Sequence, residues 1–133
     1  MADTRVVGSV SASVIISTNR PERLAGALEQ ALGQSEVDYE VLVLTHGFHA
    51  EDVVDVDGYG AVRFFYAPAT ESLGSCLNQL VSHAHGDIVA KMDDDDIYGP
   101  YYLHDQINAL RFSGADIVGK QAAYLYLESV SYT

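Results

Sequence analysis

The sequence predicts an α/β domain: a mostly parallel open sheet covered by helices on both faces. Three observations carry that expectation. Short apolar runs rich in β-branched residues read as buried strands, amphipathic stretches at helical spacing alternate with them, and one run ends in four consecutive aspartates. At 133 residues the chain suits one compact domain, 1–133, rather than two.

The first expected strand, residues 14–17, follows a Ser-rich lead and ends in Thr18, Asn19, Arg20 and Pro21. Beyond Pro21, Leu24, Ala27, Leu28, Ala31 and Leu32 recur at the spacing of one helix face, and Gly33 closes the pattern. Residues 39–44 and 61–66 read as the second and third strands, joined by an acidic connection holding Asp52, Asp55, Asp57, Gly58 and Gly60. Leu73, Cys76, Leu77, Leu80 and Val81 repeat the helical spacing, and Gly86 precedes a fourth strand over 87–92. After Gly99 and Pro100 a third helix carries Leu103, Ile107 and Leu110 and stops near Gly114. Residues 115–118 read as a fifth strand, and the alternation of Ala122, Tyr124 and Tyr126 with Ala123, Leu125 and Leu127 as an edge strand. Right-handed crossovers are expected throughout.

Composition narrows the function. With 48% hydrophobic and 20% charged residues the chain is globular rather than disordered. Seven Lys and Arg against nineteen Asp and Glu give a net charge of -12, a field that repels nucleic acid and anionic lipid. An anionic substrate is compatible only where a cation or a local basic residue reverses the sign. Cys76 stands alone, which suits a reducing compartment. With no apolar N-terminal stretch and no membrane-spanning segment, a cytoplasmic location is expected.

Open parallel sheets bind ligands at the carboxyl ends of their strands. There the sequence collects Thr18, Asn19 and Arg20 after the first strand, Thr45, His46 and Gly47 after the second, and Asp93, Asp94, Asp95 and Asp96 after the fourth. Four adjacent carboxylates repel one another, and a divalent cation such as Mn2+ or Mg2+ relieves the repulsion while recruiting substrate phosphates. If the run stays extended, Asp93 and Asp95 share one side, with Asp94 and Asp96 on the other. The plainer reading is a helix cap, since acidic residues favour a helix N-terminus, and Asp96 suits that role for the helix from Pro100.

The segment Ser13-Val14-Ile15-Ile16-Ser17-Thr18-Asn19-Arg20-Pro21, then Leu73-Gly74-Ser75-Cys76-Leu77-Asn78, then the run from Gly86 to the aspartates together resemble family 2 glycosyltransferases of the GT-A, Rossmann-like fold. The resemblance covers roughly residues 11–127. It implies that the aspartates are the family's DxD motif, with Asp95 binding the metal and Asp93 contacting the ribose or a metal-bound water. It places Thr18, Asn19 and Arg20 against the nucleotide base; Asn78 and Asp94 join them as nucleotide-sugar-binding candidates, and His46 does so because it ends a strand on the ligand-bearing edge. The implied reaction is an inverting single displacement from a nucleoside-diphosphate sugar to an unknown acceptor hydroxyl, and the implied catalytic base lies downstream of Thr133. The chain then corresponds to a fold truncated at the C-terminus, its donor-binding portion.

The sequence departs from the family twice. Thr45 and His46 stand where an acidic pair usually helps hold the base, and Leu77 stands where Arg often precedes the matching Asn. Two other readings compete: a phosphatase of the haloacid dehalogenase type with Asp93 as nucleophile and Asp95 as acid and base, whose motif normally opens its domain, and a non-catalytic nucleotide-binding module. His83, His85 and His104 read as solvated or packed histidines, Lys91 as a structural partner of a carboxylate, and Tyr98, Tyr101 and Tyr102 as packing.

Overall fold

The structure, a computed structural model, describes residues 11–112. Its elements are β1 (Ser11–Thr18), a 3-10 turn (Pro21–Arg23), α1 (Leu24–Leu32), β2 (Asp38–His46), β3 (Val62–Ala67), α2 (Leu73–His83), β4 (Ile88–Lys91) and α3 (Tyr102–Phe112). The four strands form one sheet in the order β3-β2-β1-β4, and every neighbouring pair is parallel. The expected end of the third helix, the fifth strand and the edge strand lie outside the described residues.

The strands carry two alternating apolar sets, which is why helices cover both faces. Val14, Ile16, Val41, Val43, Ile88 and Ala90 point to the side covered by Leu24 and Leu28 of α1 and Leu103 and Ile107 of α3. Ile15, Leu42, Leu44 and Val89 point to the other side, against Cys76, Leu77 and Leu80 of α2. The handedness of parallel crossovers explains the division. From β1 to β2 to β3 the chain steps in one direction, and both connections pack on the α1 side. That side also receives Ala50, Val54 and Val56 from the acidic connection, parts of which are wound into 3-10 turns (Ala50–Asp52 and Val56–Tyr59). From β3 to β4 the chain steps back past β2 and β1, so the same hand puts α2 on the opposite face. The reversal leaves β1 and β4 as neighbours, with the connection that leaves β1 and the one that enters β4 on opposite faces.

β1 and β2 outrun the expected bounds where polar side chains find partners, β3 is shifted by one residue, and β4 is shorter than the expected 87–92. The Ser13 hydroxyl of β1 is buried yet satisfied, donating to Glu40 at 2.6 Å and accepting from the Gly86 amide at 2.8 Å. Thr45 and His46 belong to β2, with the Thr45 hydroxyl donating to the Phe65 carbonyl at 3.3 Å. The helix expected from Pro21 begins with the 3-10 turn, and Ser72 caps α2 by accepting the Ser75 amide at 3.1 Å. None of the described helices is long and apolar enough to cross a membrane.

Gly86 is fixed by close approach. A methyl group there would stand 2.6 Å from the Ala12 carbonyl carbon and 2.7 Å from the Ser13 nitrogen, both backbone atoms that cannot step aside. Gly86→Ala is therefore expected to destabilise the chain by about 1–3 kcal/mol. Gly60→Ala, at a right-handed helical position with open space around it, should be neutral or slightly stabilising. Urea unfolding midpoints of the two variants check the contrast, and equal midpoints would contradict it.

Candidate functional site

The junction of β1 and β4 is where the strand order reverses, the position at which open α/β sheets bind ligands. Thr18 closes β1, and the four aspartates follow Lys91 and Met92 at the end of β4, so both sit on the carboxyl edge. The Asp94 carboxylate crosses the junction. It accepts the Thr18 hydroxyl at 2.6 Å and the Arg20 Nε at 3.3 Å, and its other oxygen accepts Arg20 Nη2 in a short contact. The Asp94 side chain is only 7% exposed and that of Arg20 39%. Burial alone would push the Asp94 pKa up, but the hydrogen bonds from Arg20 and Thr18 and the Arg20 charge prevail and hold it below the usual carboxylate range. The same pairing raises the Arg20 pKa, so the guanidinium stays charged.

The remaining aspartates turn outward and meet. Carboxylate oxygens of Asp93, Asp95 and Asp96 all lie within 4.8 Å of one another. The expected alternation thus fails for Asp96, which joins Asp93 and Asp95 instead of sharing a side with Asp94. The reason is local: β4 ends at Lys91, and Asp94 and Asp95 form a turn that interrupts the period of two. Partial burial, then the hydrogen bond to Asp93 and the charges of Asp93 and Asp95, raise the pKa of Asp96. Three convergent carboxylates on an exposed edge form the all-oxygen donor set that hard divalent cations take, so the residues fit Mn2+ or Mg2+.

Neutral groups hold this turn from beneath. The Tyr98 hydroxyl accepts the Asp93 amide at 2.8 Å and sits 3.4 Å from Asp96. Burial first, and the charges of Asp93 and Asp96 after it, push the Tyr98 pKa well above the usual phenol range. Gln30 of α1 accepts the Tyr98 amide at 2.6 Å. Gln34 accepts the Leu103 amide at 2.8 Å and donates to the Gly99 carbonyl at 2.9 Å. Gln34 therefore caps α3, correcting the expectation that Asp96 does so: the Asp96 side chain is turned to the other carboxylates, well before α3 begins at Tyr102. Tyr98, Gln30 and Gln34 match no spacing rule, since they act through individual bonds to backbone groups.

The other sequence candidates divide. Asn19 is exposed beside Thr18 and Arg20 on the same edge. His46 ends β2, next to β1, and its Nε2 donates to the Glu71 carbonyl at 2.8 Å. Asn78 lies on the exposed side of α2, and no described contact joins it to the aspartates. Leu77 is buried against Ile15 and Leu42, so an apolar residue suits a position that faces the core. Lys91 pairs with Asp93. His83 stacks on Phe65, with ring centroids 4.7 Å apart, and His85 lies 3.7 Å from Glu40, both away from the aspartates. Tyr98 and Tyr102 pack together at 4.6 Å, while Tyr101 is exposed.

A four-stranded parallel sheet with helices on both faces and an acidic turn at its switch point defines a GT-A-like α/β protein. The sequence matches the model of glycosyl transferase family 2 over residues 13–132, and the chain belongs to that family. The membership displaces the phosphatase reading. Similar solved structures include the mannosyltransferase PcManGT from Pyrobaculum calidifontis in complex with GDP-Man and Mn2+, at 22% identity over 76% of this chain and 32% of that one, with a TM-score of 0.61. TarS 1-349 from S. aureus aligns at 20% identity over 77% of this chain and 32% of that one, with a TM-score of 0.64. This chain thus spans about a third of the length of these proteins, and at such identities the likeness is one of fold. No protein of curated function matches the sequence.

The lowered pKa of Asp94 has a definite sign. A carboxylate depressed in the folded state contributes stability that is present above its unfolded pKa and lost as pH falls through its folded pKa. Asp94→Asn should therefore lower stability near pH 7 and flatten the loss of stability on acidification below about pH 4. Urea titrations at pH 3 to 7 test this, and parallel curves for parent and variant would contradict it.

Proposed function

We propose that this chain is the donor-binding portion of a metal-dependent, inverting glycosyltransferase that uses a nucleoside-diphosphate sugar. The observation that carries the reading is the convergence of the Asp93, Asp95 and Asp96 carboxylates at the switch point of a family 2 chain. A similar fold solved with GDP-Man and Mn2+ supports it. Asp95 and Asp93 hold the cation, Mn2+ or Mg2+, with Asp96 as a further oxygen donor. When bound, the cation neutralises charge developing on the departing diphosphate.

The chain's own residues supply the rest. The loop of Thr18, Asn19 and Arg20 borders the donor, with Asn19 and part of Arg20 accessible to it. His46 donates from Nε2 to the Glu71 carbonyl, because a carbonyl can only accept, which leaves Nδ1 for the nucleotide. Asn78 is a more distant nucleotide contact. Lys91 and the Tyr98 hydroxyl orient Asp93, which meets the ribose or a metal-bound water. All four aspartates are engaged with one another or with neighbouring side chains, so the base that deprotonates the acceptor hydroxyl is assigned to none of them.

Calorimetry of Mn2+-dependent GDP and UDP binding tests the reading. Asp95→Asn should abolish it, by at least about tenfold, while leaving the metal-free chain folded and slightly more stable, since a charge leaves the carboxylate cluster. Asp96→Asn should weaken binding less and likewise stabilise the metal-free chain, the opposite of what a lost helix cap would do. Unchanged binding in Asp95→Asn would refute the site.

A further inference from the structure

Arg20 stands between the two kinds of aspartate. Its Nε and Nη2 grip the inward carboxylate of Asp94, while Nη2 also lies 3.2 Å from Asp95 Oδ2. Asp95 belongs to the outward trio. A guanidinium is a permanent charge with several N–H groups held in a rigid fork, so one nitrogen serves both carboxylates with its two hydrogens. In that position it opposes a divalent cation twice: its charge repels the ion, and its hydrogen bond occupies a donor oxygen. The two halves of the contact differ in exposure, since the Asp94 side chain is 7% exposed and that of Asp95 47%. The Asp94 half is the anchor, and the Asp95 half is open to exchange with an incoming anion.

We propose that Arg20 couples the cation to the diphosphate by partner exchange: without nucleotide it holds Asp95, and an arriving diphosphate takes its Nη2 hydrogen and releases Asp95 to the metal. The inference rests on the proposed function and adds a source of cooperativity beyond shared metal–phosphate bonds. No covalent bond changes. Arg20 keeps its anchor on Asp94 throughout, so the exchange needs only a small side-chain rotation. Because coupling is reciprocal, Mn2+ must strengthen diphosphate binding by the same factor by which the diphosphate strengthens Mn2+.

The test is calorimetry of Mn2+ on the 133-residue chain, alone and with saturating GDP or UDP, for the parent, Arg20→Gln, Arg20→Lys and Arg23→Gln. Arg23 acts on Asp94 only through its charge, so its variant reports the general effect of removing a cation. Arg20→Gln should bind Mn2+ alone up to about fivefold more tightly, the range of a partly exposed ion pair. The factor by which nucleotide tightens Mn2+ should shrink at least as much. Arg20→Lys keeps the net charge and the Asp94 pair but lacks the fork, and should shift both quantities in the same direction by less. Arg23→Gln should change neither by more than about half as much. Melting curves identify variants that remain folded, and Arg20→Lys decides the matter if Arg20→Gln does not fold. If folded Arg20 variants bind Mn2+ alone no more tightly than the parent, or keep its full nucleotide factor, the exchange is refuted while the donor-site reading stands. If the parent shows no coupling between Mn2+ and either nucleotide, both fall.

Discussion

The buried carboxylate of Asp94 is the contact on which the site depends. β1 and β4 are neighbours in the sheet, yet Thr18 and Asp94 are 76 residues apart in the chain. Reversal of the strand order brings their ends together without fixing how the loops beyond them lie. Asp94 does that by accepting from Thr18 and Arg20 at once. Burying a charge is tolerable only when it is paired and hydrogen-bonded, and here both conditions are met by residues of the opposite loop. With one aspartate turned inward at a tight turn, its neighbours turn out, and the outward convergence of Asp93, Asp95 and Asp96 follows.

The same arrangement would reconcile an acidic protein with the anionic ligand proposed for it. At a net charge of -12 the surrounding field disfavours phosphate, and Arg20 is the basic group in direct contact with the acidic turn on the β1 side. Its charge is partly spent on Asp94. For the diphosphate proposed as ligand, attraction would then come largely from a cation on the outward trio, and its binding would require local charge reversal.

Much of the fold was legible because burial leaves a period. The alternation of Val14 and Ile16 with Ile15 encodes two helix-covered faces, and the spacing of Leu24, Ala27, Leu28 and Ala31 encodes the stripe that covers one of them. The placement of Thr18 and the aspartates on one sheet edge was legible too, since both terminate apolar strands. The aim of individual aspartates was not. Alternation holds only while the backbone stays extended, and the turn at Asp94 and Asp95 removed that condition. The roles of Gln34 and Tyr98 were not legible for a related reason: a polar side chain that holds a single backbone amide leaves no periodic pattern.

The turn has two supports of different electrostatic kinds. On the β1 side it hangs on ions, Arg20 against Asp94 and Asp95. On the α3 side it hangs on dipoles: Gln34 to α3, Gln30 to Tyr98, and the Tyr98 hydroxyl to the Asp93 amide. Added salt screens exposed charge pairs but hardly touches buried hydrogen bonds between neutral groups. As ionic strength rises, the backbone of Asp93 should therefore keep its place while the grip on Asp95 slackens. The two ends of this short acidic segment are thereby given unequal sensitivity to their medium, one set by shape and the other by counterions.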